Sequence, residues 1–273
     1  MADGIDEAGA TVPVALDPAA APIFVIGSPR SGTTLLRLIL DSHPHISCGE
    51  ETHFLRDLES VVGRNWDLVA TYGLTRGWWL EHIRALYEAF QAEVLARNGK
   101  SRWAEKDPTY TLHLPFIEEL FPTALYIHLL RDGHDVVASF RDRWGYRSAA
   151  RAARTEWARY VDAARALRDR VPGERFLELR YEELVADPEA QGQRLFEFLA
   201  EPWDPAVLAF DPAEHSATDR YRWFSAQQRE AGDDDRTIYR SRVGTGGDSL
   251  DPVLRTLLRR RHGDLLRELG YER

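Results

Sequence analysis

The chain has 273 residues, 44% hydrophobic and 29% charged, which is ample material for a packed core and excludes a wholly disordered protein. Its net charge of −9 argues against a general nucleic-acid binder but leaves room for a local basic pocket. A single cysteine, Cys48, excludes an intrachain disulfide and a cysteine-rich zinc site, and no apolar run approaches the ~20 residues a membrane-crossing helix needs.

Residues 1–21 are acidic, then rich in Ala and Pro, with no basic segment ahead of a long apolar one. They read as a poorly ordered leader rather than a secretory signal, and a cytoplasmic protein with one domain over 22–273 is expected. Ile23-Phe24-Val25-Ile26 is a short apolar run without a helical stripe, the pattern of a strand buried on both faces. It leads into Gly27-Ser28-Pro29-Arg30-Ser31-Gly32, after which 33–40 carries Leu35, Leu36, Ile39 and Leu40 at helical spacing. Strand, glycine-bounded loop and helix open a P-loop-type three-layer α/β fold, a central parallel sheet flanked by helices. Residues 66–98 read as helical, with Trp78, Trp79, Ile83, Leu86, Phe90 and Leu95 as the apolar stripe. A short strand is expected over 102–105, a helix over 114–120, and a strand over 124–130 that ends in Arg131-Asp132. Helices over 135–140 and 149–168, a strand over 175–179 and a helix over 189–199 follow. Residues 211–247 are irregular and polar, and 252–269 is an amphipathic helix with Leu254, Leu257, Leu258, Leu265, Leu266 and Leu269 on one face.

Gly27 and Gly32 have the spacing of the P-loop G-x-x-x-x-G-K-[ST], whose backbone N–H groups and following helix N-terminus cradle anions. The Lys position holds Thr33, which weakens a nucleoside-triphosphatase reading, and Arg30 can supply the missing positive charge. The bland alternative is an ordinary turn in a βα unit. Arg131 sits where a buried strand emerges, the edge at which open α/β sheets bind ligands. Ser139 on the next helix could share a second phosphate with it, and Arg143, four residues on, would lie on the same helix face. The bland alternative there is an Arg131–Asp132 ion pair capping the helix.

Together with Cys48-Gly49-Glu50-Glu51-Thr52 and Lys106-Asp107-Pro108, these motifs stand in an order that resembles the sulfotransferases using 3′-phosphoadenosine 5′-phosphosulfate (PAPS). The resemblance covers 24–199 and is strongest to the bacterial and protein-tyrosine sulfotransferase-like branch. It implies that Arg30, with the backbone of Ser31, Gly32, Thr33 and Thr34, binds the 5′-phosphosulfate. It implies that Arg131, Ser139 and Arg143 hold the 3′-phosphate, that Tyr181 lies near the adenine, and that Ser241-Arg242-Val243-Gly244 is the late loop over the nucleotide, contributing Ser241, Arg242 and Gly244. Glu51 takes the general-base position, with His53 as the alternative, while Arg30 and Lys106 stabilise the leaving bridge oxygen. The product would be adenosine 3′,5′-bisphosphate (PAP), and the acceptor a hydroxyl on a small molecule or peptide tyrosine, with no nucleic-acid or membrane partner. Residues 66–98 and 216–247, outside the nucleotide motifs, are expected to shape the acceptor pocket.

Two rival readings remain: a magnesium-dependent P-loop kinase, which Thr33 disfavours, and a non-catalytic nucleotide-binding protein on the same fold, which Glu51 and Lys106 disfavour. Lys106 could also be a surface lysine paired with Glu105 or Asp107. His43, His45 and His53 lack the i, i+4 spacing of a helical zinc pair, and the transfer needs no metal. Asp233-Asp234-Asp235 reads as a solvated loop and Arg259-Arg260-Arg261 as the polar face of the last helix.

Overall fold

The fully apolar run Ile23–Ile26 becomes the central strand β1, flanked on both sides and buried on both faces. In the computed structural model, which describes residues 20–210, 215, 238, 243, 244, 246 and 250–272, the sheet has five strands in the order β2-β3-β1-β4-β5. The others are β2 (Ile46–Cys48), β3 (Arg102–Lys106), β4 (Leu125–Leu130) and β5 (Phe176–Arg180), and every pairing is parallel. Strand alternation divides the core. Ile23 and Val25 pack with α1 (Thr33–Asp41) and Leu195 and Phe196, while Phe24 and Ile26 pack with Tyr87, Leu114, Ile117 and Leu167 on the opposite face.

The chain leaves β1 toward β2 on one side and leaves β4 toward β5 on the other. That reversal puts a crevice at the carboxyl ends of β1 and β4, where open α/β sheets bind ligands. The loop 27–32 and Arg131 both lie there. Helix α6 (Gly133–Trp144) follows β4 and is longer than the 135–140 expected, because Asp132 caps it by accepting from the His134 N–H (2.8 Å).

The long helix expected over 66–98 is broken. A helix α2 (Phe54–Arg64), not expected from the sequence, precedes α3 (Trp66–Val69) and a 3-10 turn (Ala70–Tyr72). Gly73 then adopts φ 77°, and Thr75 caps a new helix, α4 (Arg76–Asn98), by accepting from the Trp78 N–H (3.1 Å). Helix α5 (Leu114–Leu120) matches expectation. The expected 149–168 helix begins earlier as α7 (Tyr146–Arg151), then passes through a π-helical turn (Ala152–Glu156) into α8 (Trp157–Arg168). A short α9 (Tyr181–Ala186) precedes α10 (Pro188–Phe198), and α11 (Pro252–Glu268) closes the chain. Ala21, assigned to the leader by composition, is buried in the core, and its carbonyl accepts from Arg102 Nε (3.1 Å). Most of the leader and of 211–247 lies outside the described residues. Among those described, no helix is long and apolar enough to cross a membrane.

Candidate active site

The loop after β1 is tied down at several points. Ser31 donates to the Ser28 carbonyl through both its N–H (3.1 Å) and its hydroxyl (2.7 Å), and the Gly27 N–H donates to Thr111 Oγ1 (2.9 Å). Gly32 holds φ 99° at the start of α1, and a Cβ there would stand 2.3 Å from Tyr181 Cδ2, so only glycine fits. Arg30 holds φ 73°, a conformation non-glycine residues adopt at a cost. No side chain caps α1 and its first turn holds no acidic residue, so the amides around Thr33 and Thr34 are suited to an anion.

The second expected anion site is joined to the first. Arg30 Nε donates to Ser139 Oγ (3.0 Å), and Arg131 donates to the Arg30 carbonyl (3.1 Å). The Arg131 guanidinium lies 4.2 Å from the centre of the Tyr181 ring, the ring that meets Gly32. Arg131 does not pair with Asp132, which caps α6; its carboxylate partner is Asp135, at 3.5 Å. Arg143 lies one turn beyond Ser139 on α6 and is exposed. Asp135 also accepts from the N–H groups of Gly244 (3.0 Å) and Gly246 (2.6 Å), which fastens part of the late loop onto α6 beside Arg131. Ser241 and Arg242 lie outside the described residues.

Lys106 is the last residue of β3, rather than following it, and it is not a surface lysine. Its side chain is 1% exposed and ion-pairs with Glu51, which is 31% exposed, rather than with Glu105 or Asp107. Two residues on, His53 adopts φ 56° and its Nδ1 lies 2.5 Å from Oδ2 of the buried Asp107. The other Asp107 oxygen accepts from the Thr109 N–H (2.9 Å) and hydroxyl (2.7 Å). Burial pushes the Cys48 thiol up to about 12, and burial raises the Glu105 carboxyl to about 7 despite hydrogen bonds from Tyr87 and Thr52.

Of the residues expected from the sequence, Arg30, Ser139, Arg131 and Tyr181 are linked to one another and Glu51 to Lys106, whereas Asp135 and Gly246 were not expected and Asp107 was expected only as part of a motif. Asp135 was reachable, standing four residues after Arg131 on a helix. His43, His45 and Glu201 also converge, which linear spacing did not signal. There His43 Nε2 bonds the Pro202 carbonyl (3.0 Å), and Glu201 is shared between His45 (2.9 Å) and Arg102 (3.2 Å).

A parallel α/β sheet with a glycine-bounded loop at its switch point defines a P-loop-type fold. The sulfotransferase family model matches residues 22–205, and the chain belongs to that family. It is 35% identical over 199 residues to protein-tyrosine sulfotransferase A of Caenorhabditis elegans, covering 68% of this chain and 51% of that protein. It is 32% identical over 199 residues to human protein-tyrosine sulfotransferase 1, covering 68% and 53%. The chain thus spans about half the length of these curated relatives. The fold matches the sulfotransferase domain of the Synechococcus PCC 7002 olefin synthase, with a TM-score of 0.67, 24% identity and coverage of 93% and 96%. It also matches a sulfotransferase domain of the curacin biosynthetic pathway, with a TM-score of 0.65, 21% identity and coverage of 93% and 98%.

Proposed function

We propose that the chain transfers a sulfuryl group from PAPS to an acceptor hydroxyl, leaving PAP. The observation that carries this reading is Arg30: its side chain bonds Ser139 and its carbonyl holds Arg131, so one residue links two cationic sites at the switch point. A donor with phosphate at two ends of a nucleoside fits such a double site better than a single polyphosphate tail does. Thr33 in the P-loop Lys position points the same way.

In this reading the amides of Ser31 to Thr34 and the Arg30 guanidinium hold the 5′ end, while Arg131, Ser139 and Arg143 hold the 3′ end. PAPS, when bound, supplies an activated sulfuryl group on a good leaving group. Glu51 accepts the proton of the acceptor hydroxyl as its oxygen bonds to sulfur and the bridging S–O bond breaks. Arg30 and Lys106 offset the negative charge growing on the departing oxygen. Lys106 is well placed for this because it is desolvated, where its charge acts through a low dielectric. The Lys106–Glu51 pair holds the two groups adjacent before either is used. The relatives named for tyrosine support a phenolic acceptor, and the reading extends to other hydroxyls.

Calorimetry with PAP and a chelator tests the donor site. Binding without magnesium is expected. Failure to bind PAP, or tighter ATP binding that requires magnesium, would overturn the reading in favour of a kinase-like protein.

A further inference from the structure

Glu105 is 2% exposed, on a strand whose neighbour at this register is Phe24, within a cluster of Phe24, Tyr87, Trp103 and Phe121. A carboxylate in such surroundings costs more than an apolar residue of the same volume unless its hydrogen bonds are complete. Two donors reach it within hydrogen-bond distance, Gln91 Nε2 at 3.3 Å and Thr52 Oγ1, which donates to Oε1 at 3.2 Å, and Gln91 also donates to the Tyr87 hydroxyl (3.0 Å). With the Thr52 proton committed to Glu105, the Tyr110 hydroxyl must donate to Thr52 Oγ1 (3.3 Å), and it accepts in turn from the Leu55 N–H (3.1 Å). Thr52 Oγ1 also accepts from the Phe54 N–H (3.3 Å). The result is a one-way chain, Leu55 to Tyr110 to Thr52 to Glu105. It anchors the segment that carries Glu51, at its immediate neighbour and again at the first turn of α2.

We propose that Glu105 is a positioning residue: ionised, it terminates this chain of donors and so fixes the 51–55 segment with Glu51 against Lys106. The inference rests on the reading of Glu51 as base. Glu105 has no path to substrate of its own, since it and Lys106 are successive residues of β3 and point to opposite faces. The polar and titratable groups around it are Lys106 on its own strand, Cys48 on β2, Tyr87 and Gln91 on α4, Thr52 in the segment, and Asp107 and Tyr110 in the following turn. A protonated Glu105 must itself donate, and every neighbour it meets in the chain is already a donor. Protonation therefore reverses at least one of these contacts. Glu105→Gln places an N–H₂ where an acceptor is required and mimics that state at every pH.

The test uses full-length protein, PAPS and phenol. Glu105→Gln should lower kcat about tenfold, within the range that slight misplacement of a catalytic group produces, with KM for PAPS unchanged. The wild-type rise in kcat through about pH 7 should vanish in this variant. Thr52→Val should lower kcat in the same way, and both it and Tyr110→Phe keep the test open if Glu105→Gln does not fold. Amide exchange gives a readout independent of turnover: Leu55 should be protected above pH 7 in the wild type and unprotected in Glu105→Gln. If the wild type transfers nothing, the sulfuryl-transfer reading fails while the Leu55 measurement still decides the positioning. If Glu105→Gln only lowers the melting temperature, with kcat, pH profile and Leu55 protection unchanged, Glu105 is structural and the proposal is wrong.

Discussion

Replacing Gly32 by alanine should damage both proposed anion sites through one methyl group. The added Cβ would lie 2.3 Å from Tyr181 Cδ2 and 2.7 Å from Cε2, well inside contact distance, at φ 99°. The left-handed backbone costs a residue with a Cβ about 1–2 kcal/mol. Displacing a buried ring from a packed site costs about 1–3 kcal/mol. We therefore expect a loss on the order of 2–5 kcal/mol, read by urea denaturation as a lower midpoint at unchanged slope. Tyr181 also carries the Arg131 guanidinium on its face at 4.2 Å, so PAP affinity should fall with stability. The control is Gly49→Ala, where a Cβ meets nothing within 4 Å, and stability should stay within about 0.5 kcal/mol. In Gly32→Ala/Tyr181→Ala the clash disappears, so the double variant should lose less than the two single losses combined. A Gly32→Ala protein as stable as Gly49→Ala, or strictly additive losses, would show that the loop does not rest on Tyr181.

Cys48, fully buried with its thiol pushed up to about 12, should resist iodoacetamide at pH 8 in the native protein and react once unfolded in urea; rapid native labelling would contradict its placement. Arg131→Ala should weaken PAP binding by more than adenosine 5′-monophosphate binding, by about 1.5–3 kcal/mol, and equal losses would show that Arg131 does not read the 3′-phosphate. Glu105 binds its proton more tightly in the folded state than in the unfolded one, so between about pH 4.5 and 7 folding retains protons and its contribution to stability falls as pH rises. Across that window the wild type should lose on the order of 3 kcal/mol relative to Glu105→Gln, measured by urea unfolding at pH 4.5 and 7.5, and parallel curves for the two proteins would contradict the shift.

The sheet was legible where strands are buried on both faces, because Ile23–Ile26 is an unbroken apolar run and Leu125–Leu130 is apolar but for His128. Strand β2 escaped notice because Ile46–Cys48 is three residues long and follows His-Pro-His, too short to establish a period. Residues 66–98 looked like one helix because their composition favours it throughout, whereas the break is set locally by Gly73 and the Thr75 cap. The loop 27–32 and the start of α6 were readable because each is contiguous in sequence. What joins them was not: the Arg30–Ser139 contact spans 109 residues and depends on β1 and β4 being neighbours. The Lys106–Glu51 and His53–Asp107 pairs likewise require β2 and β3 to lie side by side, a fact the order of residues does not carry. The same strand geometry buried Glu105, which sequence alone presents as one more acidic residue beside a lysine.

The most direct test of sulfuryl transfer with Glu51 as base is turnover of Glu51→Gln across phenols of graded pKa, with PAPS as donor. Glutamine keeps the shape and cannot take the proton, so turnover with phenol should fall roughly 10²–10⁴-fold. The loss should shrink with 4-nitrophenol, which is already partly ionised and needs no base. His53→Gln, whose imidazole is engaged with Asp107, should cost much less. Wild-type turnover in Glu51→Gln together with abolished turnover in His53→Gln would contradict the assignment.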